Sequence, residues 1–126
     1  MKTINQTYLI KAPVEKVWQA LTESSIIAKW GGGPARMNDK VGTKFSLWGG
    51  DIHGKNIEVV KNKQLVQEWF GGEWRNASKV TFTLTEKDGN TEVNLLHEDI
   101  PDGEVKDIAE GWNIYYLGPM KELLEK

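Results

Sequence analysis

The chain's chemistry-bearing residues are few: two histidines, His53 and His97, and no cysteine. His97 stands beside Glu98 and Asp99 at the end of a strand-like run, so a general base oriented by a carboxylate comes first. Adjacent strand residues point to opposite faces, however, and His97 and Glu98 should therefore not face each other. Alternation groups His97 with Val93 and Leu95, toward a core or a cavity mouth, where a hydrogen-bonded structural histidine is the favoured reading. His53, in a turn after Asp51, has weaker standing. No His-x-x-x-His or His-Glu pair occurs at helical spacing, so no metal ligand is assigned. The lack of cysteine removes thiolate catalysis, disulfides and iron–sulfur clusters. No catalytic residue and no cofactor is expected.

Glu58 and Glu68 fall in predicted strands. Pointing inward, either would be a buried carboxylate with a raised pKa and hence a functional candidate; a solvated outward face is the plainer reading. Arg36 and Arg75 could hold a ligand carboxylate at a rim, or serve in surface salt bridges. Gly31-Gly32-Gly33-Pro34 follows a helix and lacks a Gly-Lys-Ser/Thr ending, so it is no phosphate loop. It reads as a flexible connector at a pocket entrance.

The aromatic supply is the other resource, with six Trp, three Tyr and three Phe. Some of Phe45, Trp48, Trp69, Phe82, Trp112 and Tyr116 could line an apolar pocket, with Glu58 and His97 as its polar members. Equally, large rings can simply fill a core, and six Trp could close the cavity altogether.

The elements that would position these residues follow from periodicity. Over residues 3–11, Ile4, Tyr8 and Ile10 fall on one side at period two, as in a first strand. Pro13 suits a first helical position, and Val14, Val17, Trp18 and Leu21 make the apolar stripe of a short helix. A second short helix carries Ile26, Ile27 and Trp30. Strands are predicted at 42–48, 52–60, 64–70, 78–86 and 91–98, with turns at 49–51, 61–63, 71–73 and 87–90. In 79–86, Val80, Phe82 and Leu84 alternate with threonines, the pattern of an antiparallel sheet with one wet face. Asp88-Gly89 marks a hairpin. From Val105 to Leu124 a 3.6-residue rhythm runs for about five turns, using Tyr116 or Tyr115 at one position. Gly118-Pro119 interrupts it, because proline removes a backbone donor and clashes with the preceding turn; a kink or bulge is predicted near Tyr115–Gly118. A one-faced sheet needs a cover, and only this last helix is long enough. The expected fold is α+β of the helix-grip kind: a curved antiparallel sheet of about six strands around a long C-terminal helix, with two short helices between the first two strands.

Composition bounds the partners. The chain has 126 residues and a formal net charge of -2, with 16 basic and 18 acidic residues interspersed. That balance does not attract a polyanion, so nucleic acid is not an expected partner. No apolar run nears the ~20 residues of a membrane span, and the N-terminus lacks a secretory apolar stretch. A soluble cytoplasmic protein without membrane association is expected.

At this point a resemblance enters. Ile10-Lys-Ala12-Pro13-Val14-Glu15-Lys-Val17-Trp18-Gln-Ala20-Leu21-Thr22 resembles the opening of START-like (SRPBCC) domains, and more narrowly the homologues of the activator of heat-shock-protein-90 ATPase. Trp30, Val41-Gly42-Thr-Lys-Phe45, Asp51-Ile-His-Gly54, Leu65-Val66-Gln-Glu-Trp69, Thr91-Glu-Val93 with Leu96-His97, and Gly111-Trp112 agree in order. The resemblance spans nearly the whole chain, and it implies the birch-pollen-allergen (helix-grip) fold as one START-like domain over residues 1–126. Two departures stand out: eukaryotic chaperone activators carry a separate domain ahead of this one, whereas here the first strand begins at about residue 3, and Gly118-Pro119 is not a family feature. Three functions follow as expectations. The first is a non-enzymatic module binding a small hydrophobic or aromatic molecule between sheet and helix. The second is a chaperone-activating or stress-related interaction domain. The third is a cyclase- or hydrolase-type enzyme, which would need His97, Glu58 or Tyr116 to converge on one cavity.

Overall fold

The computed structural model describes residues 2–72 and 74–126; the last residue of the turn expected at 71–73 lies outside them. Strand β1 (Lys2–Ile10) leads into helices α1 (Val14–Thr22) and α2 (Ser24–Trp30), followed by β2 (Lys44–Leu47), β3 (Ile52–Val60), β4 (Gln64–Gly71), β5 (Ser78–Lys87) and β6 (Asn90–Ile100). The six strands form one curved antiparallel sheet in the order β1-β6-β5-β4-β3-β2. β1 and β2 are therefore opposite edges, and α1 and α2 carry the chain from one edge to the other.

Alternation explains which face is buried. Val80, Phe82 and Leu84 of β5 and Thr91, Val93, Leu95 and His97 of β6 all face the interior, while the threonines between the β5 residues are only half-buried. The β5–β6 hairpin turns on Asp88 and Gly89, both at positive φ (53° and 82°), the conformation a two-residue turn needs to match strand twist. β6 outruns its predicted end because Asp99 adopts a left-handed φ of 62°. The register against β1 slips there, so that Lys2 pairs with Ile100 while Ile4 pairs with His97. That bulge turns Ile100, not Asp99, into the core.

The C-terminal rod lies in the hollow of the sheet, as the apolar stripe requires. Gln6 Nε2 donates to Ala109 O (3.1 Å), and Lys121 Nζ donates to Leu9 O (2.8 Å). Helix α3 (Val105–Gly111) continues through a π-helical segment, Trp112–Leu117, into α4 (Gly118–Leu124). The break expected at Gly118-Pro119 thus takes the form of a π-bulge. The Gly118 N–H reaches Asn113 O, five residues back, and a Cβ at Gly118 would lie 2.0 Å from that oxygen. Only glycine permits the approach. The wide turn also decides the alternative left open by periodicity: Tyr116 and Leu117 are buried, and Tyr115 is 64% exposed.

Pro13 sits one position before the first helical residue, as the N-cap of α1, a one-residue difference common at helix ends. The glycine run after α2 is not the free connector expected. Gly31 ends the helix at φ 107°, and the Gly32 and Pro34 carbonyls accept the N–H groups of Trp48 and Gly49 (2.8 and 2.9 Å). The loop is a seat for Trp48.

Candidate functional site

Two buried polar chains fix the rings at the centre of the molecule. On one side Trp69 Nε1 donates to Gln67 Oε1 (3.0 Å), Gln67 Nε2 donates to Asn56 Oδ1 (2.9 Å), and Asn56 Nδ2 donates to Asn38 O (2.9 Å). On the other, Trp112 Nε1 donates to His97 Nδ1 (3.0 Å). With Nδ1 accepting, the His97 proton resides on Nε2, which donates to Ser78 Oγ (2.8 Å); the Ser78 hydroxyl in turn donates to Trp69 O (3.0 Å). His97 is completely buried, and burial pushes its pKa down to about 4. It is a neutral imidazole with both nitrogens committed, consistent with the structural reading of this residue.

The result is a stack. Trp69 and Trp112 lie face to face at 4.6 Å, Tyr116 packs at 4.7 Å from Trp112, and Trp30 at 4.5 Å from Tyr116. These rings do not close the interior. Between the ends of β3 and β4 and the C-terminal rod a cavity of about 360 Å³ remains, within the roughly 300–1,000 Å³ range of small-molecule sites. Ile52 and Trp69 line it from the sheet, with Trp48 and Asp51 from the adjoining 3₁₀ turn (Trp48–Gly50) and its exit. Trp74 covers it from the β4–β5 loop, packed so closely on Gly71 that a Cβ there would meet its ring at 3.1 Å. From the helix come Asp107, Ile108, Gly111, Trp112, Tyr115 and Tyr116.

The Tyr116 hydroxyl is an anomaly of this buried ring cluster. The residue is 1% exposed, yet its oxygen finds no hydrogen-bond partner among the described residues. Burial raises its pKa further above the ordinary phenol range, so the group stays a neutral O–H donor. The indoles differ: Trp48 Nε1 donates to Gly31 O (2.8 Å), and those of Trp69 and Trp112 are committed as described.

Of the eight residues expected to bind a ligand, Trp48, Trp69, Trp112 and Tyr116 reach the cavity wall. Phe45, Phe82 and His97 are buried behind it as packing. Glu58 is exposed and lies elsewhere. Strict alternation from Gly54 and Asn56 would have turned it inward, but a bulge between Asn56 and Glu58 shifts the register, and Val59 takes the inward place opposite Leu65. Arg36 and Arg75 are exposed and outside the lining. His97, Glu58 and Tyr116 therefore do not converge on one cavity, which removes the arrangement an enzyme reading required. Trp74, Tyr115, Asp51 and Asp107 are wall residues that sequence reasoning did not select. The Trp and Tyr were visible as aromatics, but loop and helix-face geometry decides whether such a ring meets the cavity. Among the described residues no cluster of His, Asp or Glu is arranged to hold a metal ion, and no helix is long and apolar enough to cross a membrane.

A curved sheet gripping a long helix over an apolar, ring-lined cavity defines a helix-grip domain. Residues 11–125 match the family described as "Activator of Hsp90 ATPase homolog 1-like protein", and the chain belongs to that family. The human activator of 90 kDa heat shock protein ATPase homolog 1 is 27% identical over 122 residues, 95% of this chain but 36% of that protein. The chain thus spans about a third of the length of such curated relatives. Among solved structures, an HSP90 activator from Plasmodium falciparum superposes with a TM-score of 0.91 at 27% identity, covering 98% of this chain and 96% of that one. The Aha1 dimer from Colwellia psychrerythraea gives 0.85 at 24% identity, covering 99% and 97%, a likeness of fold.

Proposed function

We propose that the domain is a binding module for a small hydrophobic or aromatic molecule seated between β3, β4 and the C-terminal rod. One observation carries this reading: an apolar, ring-lined cavity of about 360 Å³ between the sheet and the C-terminal rod, within the size range of small-molecule sites. The preferred occupant is apolar and lays its body against the rings of the wall.

Tryptophan emission reports directly on such binding, because the wall holds four indoles. In a titration with flavonoids, sterols and fatty acids, compounds that seat an apolar body against the rings are expected to give a saturable change. A panel in which nothing saturates would overturn the reading.

A second reading, a chaperone-ATPase activator-like interaction domain, is supported by family membership and by the names of the relatives. Its test is the ATPase rate of purified Hsp90 with and without the chain. The absence of both stimulation and co-purification would remove it.

A further inference from the structure

The charged residues in the cavity wall are both acidic, and the donor edges of its central indoles are already in use. From these two facts we infer that the cavity selects an organic cation: a ligand with an apolar or aromatic body and a positively charged nitrogen. This rests on the reading of the cavity as a ligand site and names the class of ligand.

The wall residues differ in what they have left to offer an occupant. Trp48, Trp69 and Trp112 have their N–H groups bound to Gly31 O, Gln67 Oε1 and His97 Nδ1, so their contribution to an occupant is π-surface and C–H edge. The negative faces of indole and phenol rings attract cations within about 6 Å of their centroids, most strongly for Trp and where water is excluded. Trp48 and Trp69 each stand 6.2 Å from Tyr116, and Trp69 stands 4.6 Å from Trp112. With Trp69 and Trp112 stacked on each other, the rings an occupant meets first are the less buried ones of the wall, Trp48, Trp74 and Tyr115.

Electrostatics at the rim acts in the same direction. Asp51 and Asp107 approach the cavity from opposite walls, the 3₁₀-turn side and helix α3. Neither is in a salt bridge among the described residues, and no Lys or Arg is in the lining. Asp107 also stands in the first turn of α3, where an acidic side chain complements the helix N-terminus, and both aspartates are exposed. An anionic ligand would face two carboxylates, with no Lys or Arg in the lining to meet it. A cation would face two carboxylates and a set of ring faces.

The test uses two probes of one size, benzyltrimethylammonium and its uncharged carbon isostere neopentylbenzene, and a slightly larger anion, 4-tert-butylbenzoate. Affinities are read by calorimetry and by ligand-observed NMR at low and at high salt. The cation is expected to bind about tenfold more tightly than the isostere, with the anion weakest. In the Asp51→Asn, Asp107→Asn double variant, and in high salt, the ratio of cation to isostere should move toward one. Equal affinity for cation and isostere, or preference for the anion, overturns the cation inference and leaves the cavity as a ligand site. Failure of all three to bind overturns both.

Discussion

At the scale of single residues, the lesson lies in which polar groups are spoken for. His97 has the residue type of a catalytic base, but its Nδ1 lone pair accepts from Trp112 and its Nε2–H donates to Ser78, so no free lone pair remains to abstract a proton. Tyr116 is the reverse case: a candidate pocket ring by sequence, it is buried with a hydroxyl that finds no partner among the described residues. The first was legible, since alternation alone turned His97 inward and away from Glu98. The second was legible only as an aromatic, because whether a buried hydroxyl is paired depends on atoms brought from distant elements. Glu58 shows the limit most clearly. Period-two reading is reliable along an unbroken ladder, and one extra residue between Asn56 and Glu58 reverses every direction after it. Nothing in Asn56-Ile57-Glu58 announces that insertion.

At the scale of elements, most of the fold could be read in advance because its alternation and helical rhythm are strong. All six strands start within two residues of their predicted positions. The shortfall is β2, predicted at 42–48 and observed at Lys44–Leu47; Trp48 leaves the strand at a positive φ of 49° and swings against the glycine loop. The proline rule foresaw a break in the last helix, and the structure shows its form. This yields a prediction about Gly118. In a regular exposed helix, Gly→Ala gains about 1 kcal/mol from propensity. At Gly118 the new Cβ would stand 2.0 Å from the Asn113 carbonyl, the acceptor of Gly118's own N–H. Gly118→Ala is therefore expected to destabilise by about 1–3 kcal/mol, and to disturb the cavity through the shifted Tyr116. Gly111→Ala is the control: it lies on the same rod and in the cavity wall, but its Cβ would meet nothing closer than Tyr115 Cδ2 at 3.9 Å. Urea unfolding of the pair should show opposite signs; equal effects would mean that the bulge does not depend on glycine.

For the whole molecule, the buried groups set how stability depends on pH. His97 titrates near 6.5 in an unfolded chain and at about 4 in the fold. A base with a depressed folded pKa contributes its full share above the unfolded value, and that share is lost as pH falls from about 6.5 to about 4. At roughly 1.4 kcal/mol per unit, the loss across this window comes to about 3 kcal/mol. Glu125, held below its usual range by hydrogen bonds from Lys121 and the Lys11 N–H, acts in the same direction at lower pH. Tyr116 and Tyr8 act at the other end: burial raises both phenols, so their share is present below pH about 10 and is lost above it. Stability should therefore be greatest between about pH 7 and 9. Urea midpoints measured from pH 4 to 8 should fall steadily below 6.5 in the native chain. His97→Gln should be less stable at pH 7, having lost two buried hydrogen bonds, yet much flatter across the acid window. If the variant does not fold, the His97 ring signals of the native chain supply the same answer, staying neutral until pH approaches 4. A ring that protonates near 6.5, or a variant whose acid slope matches the native one, would mean that the Trp112–His97–Ser78 chain does not hold its proton where the geometry puts it.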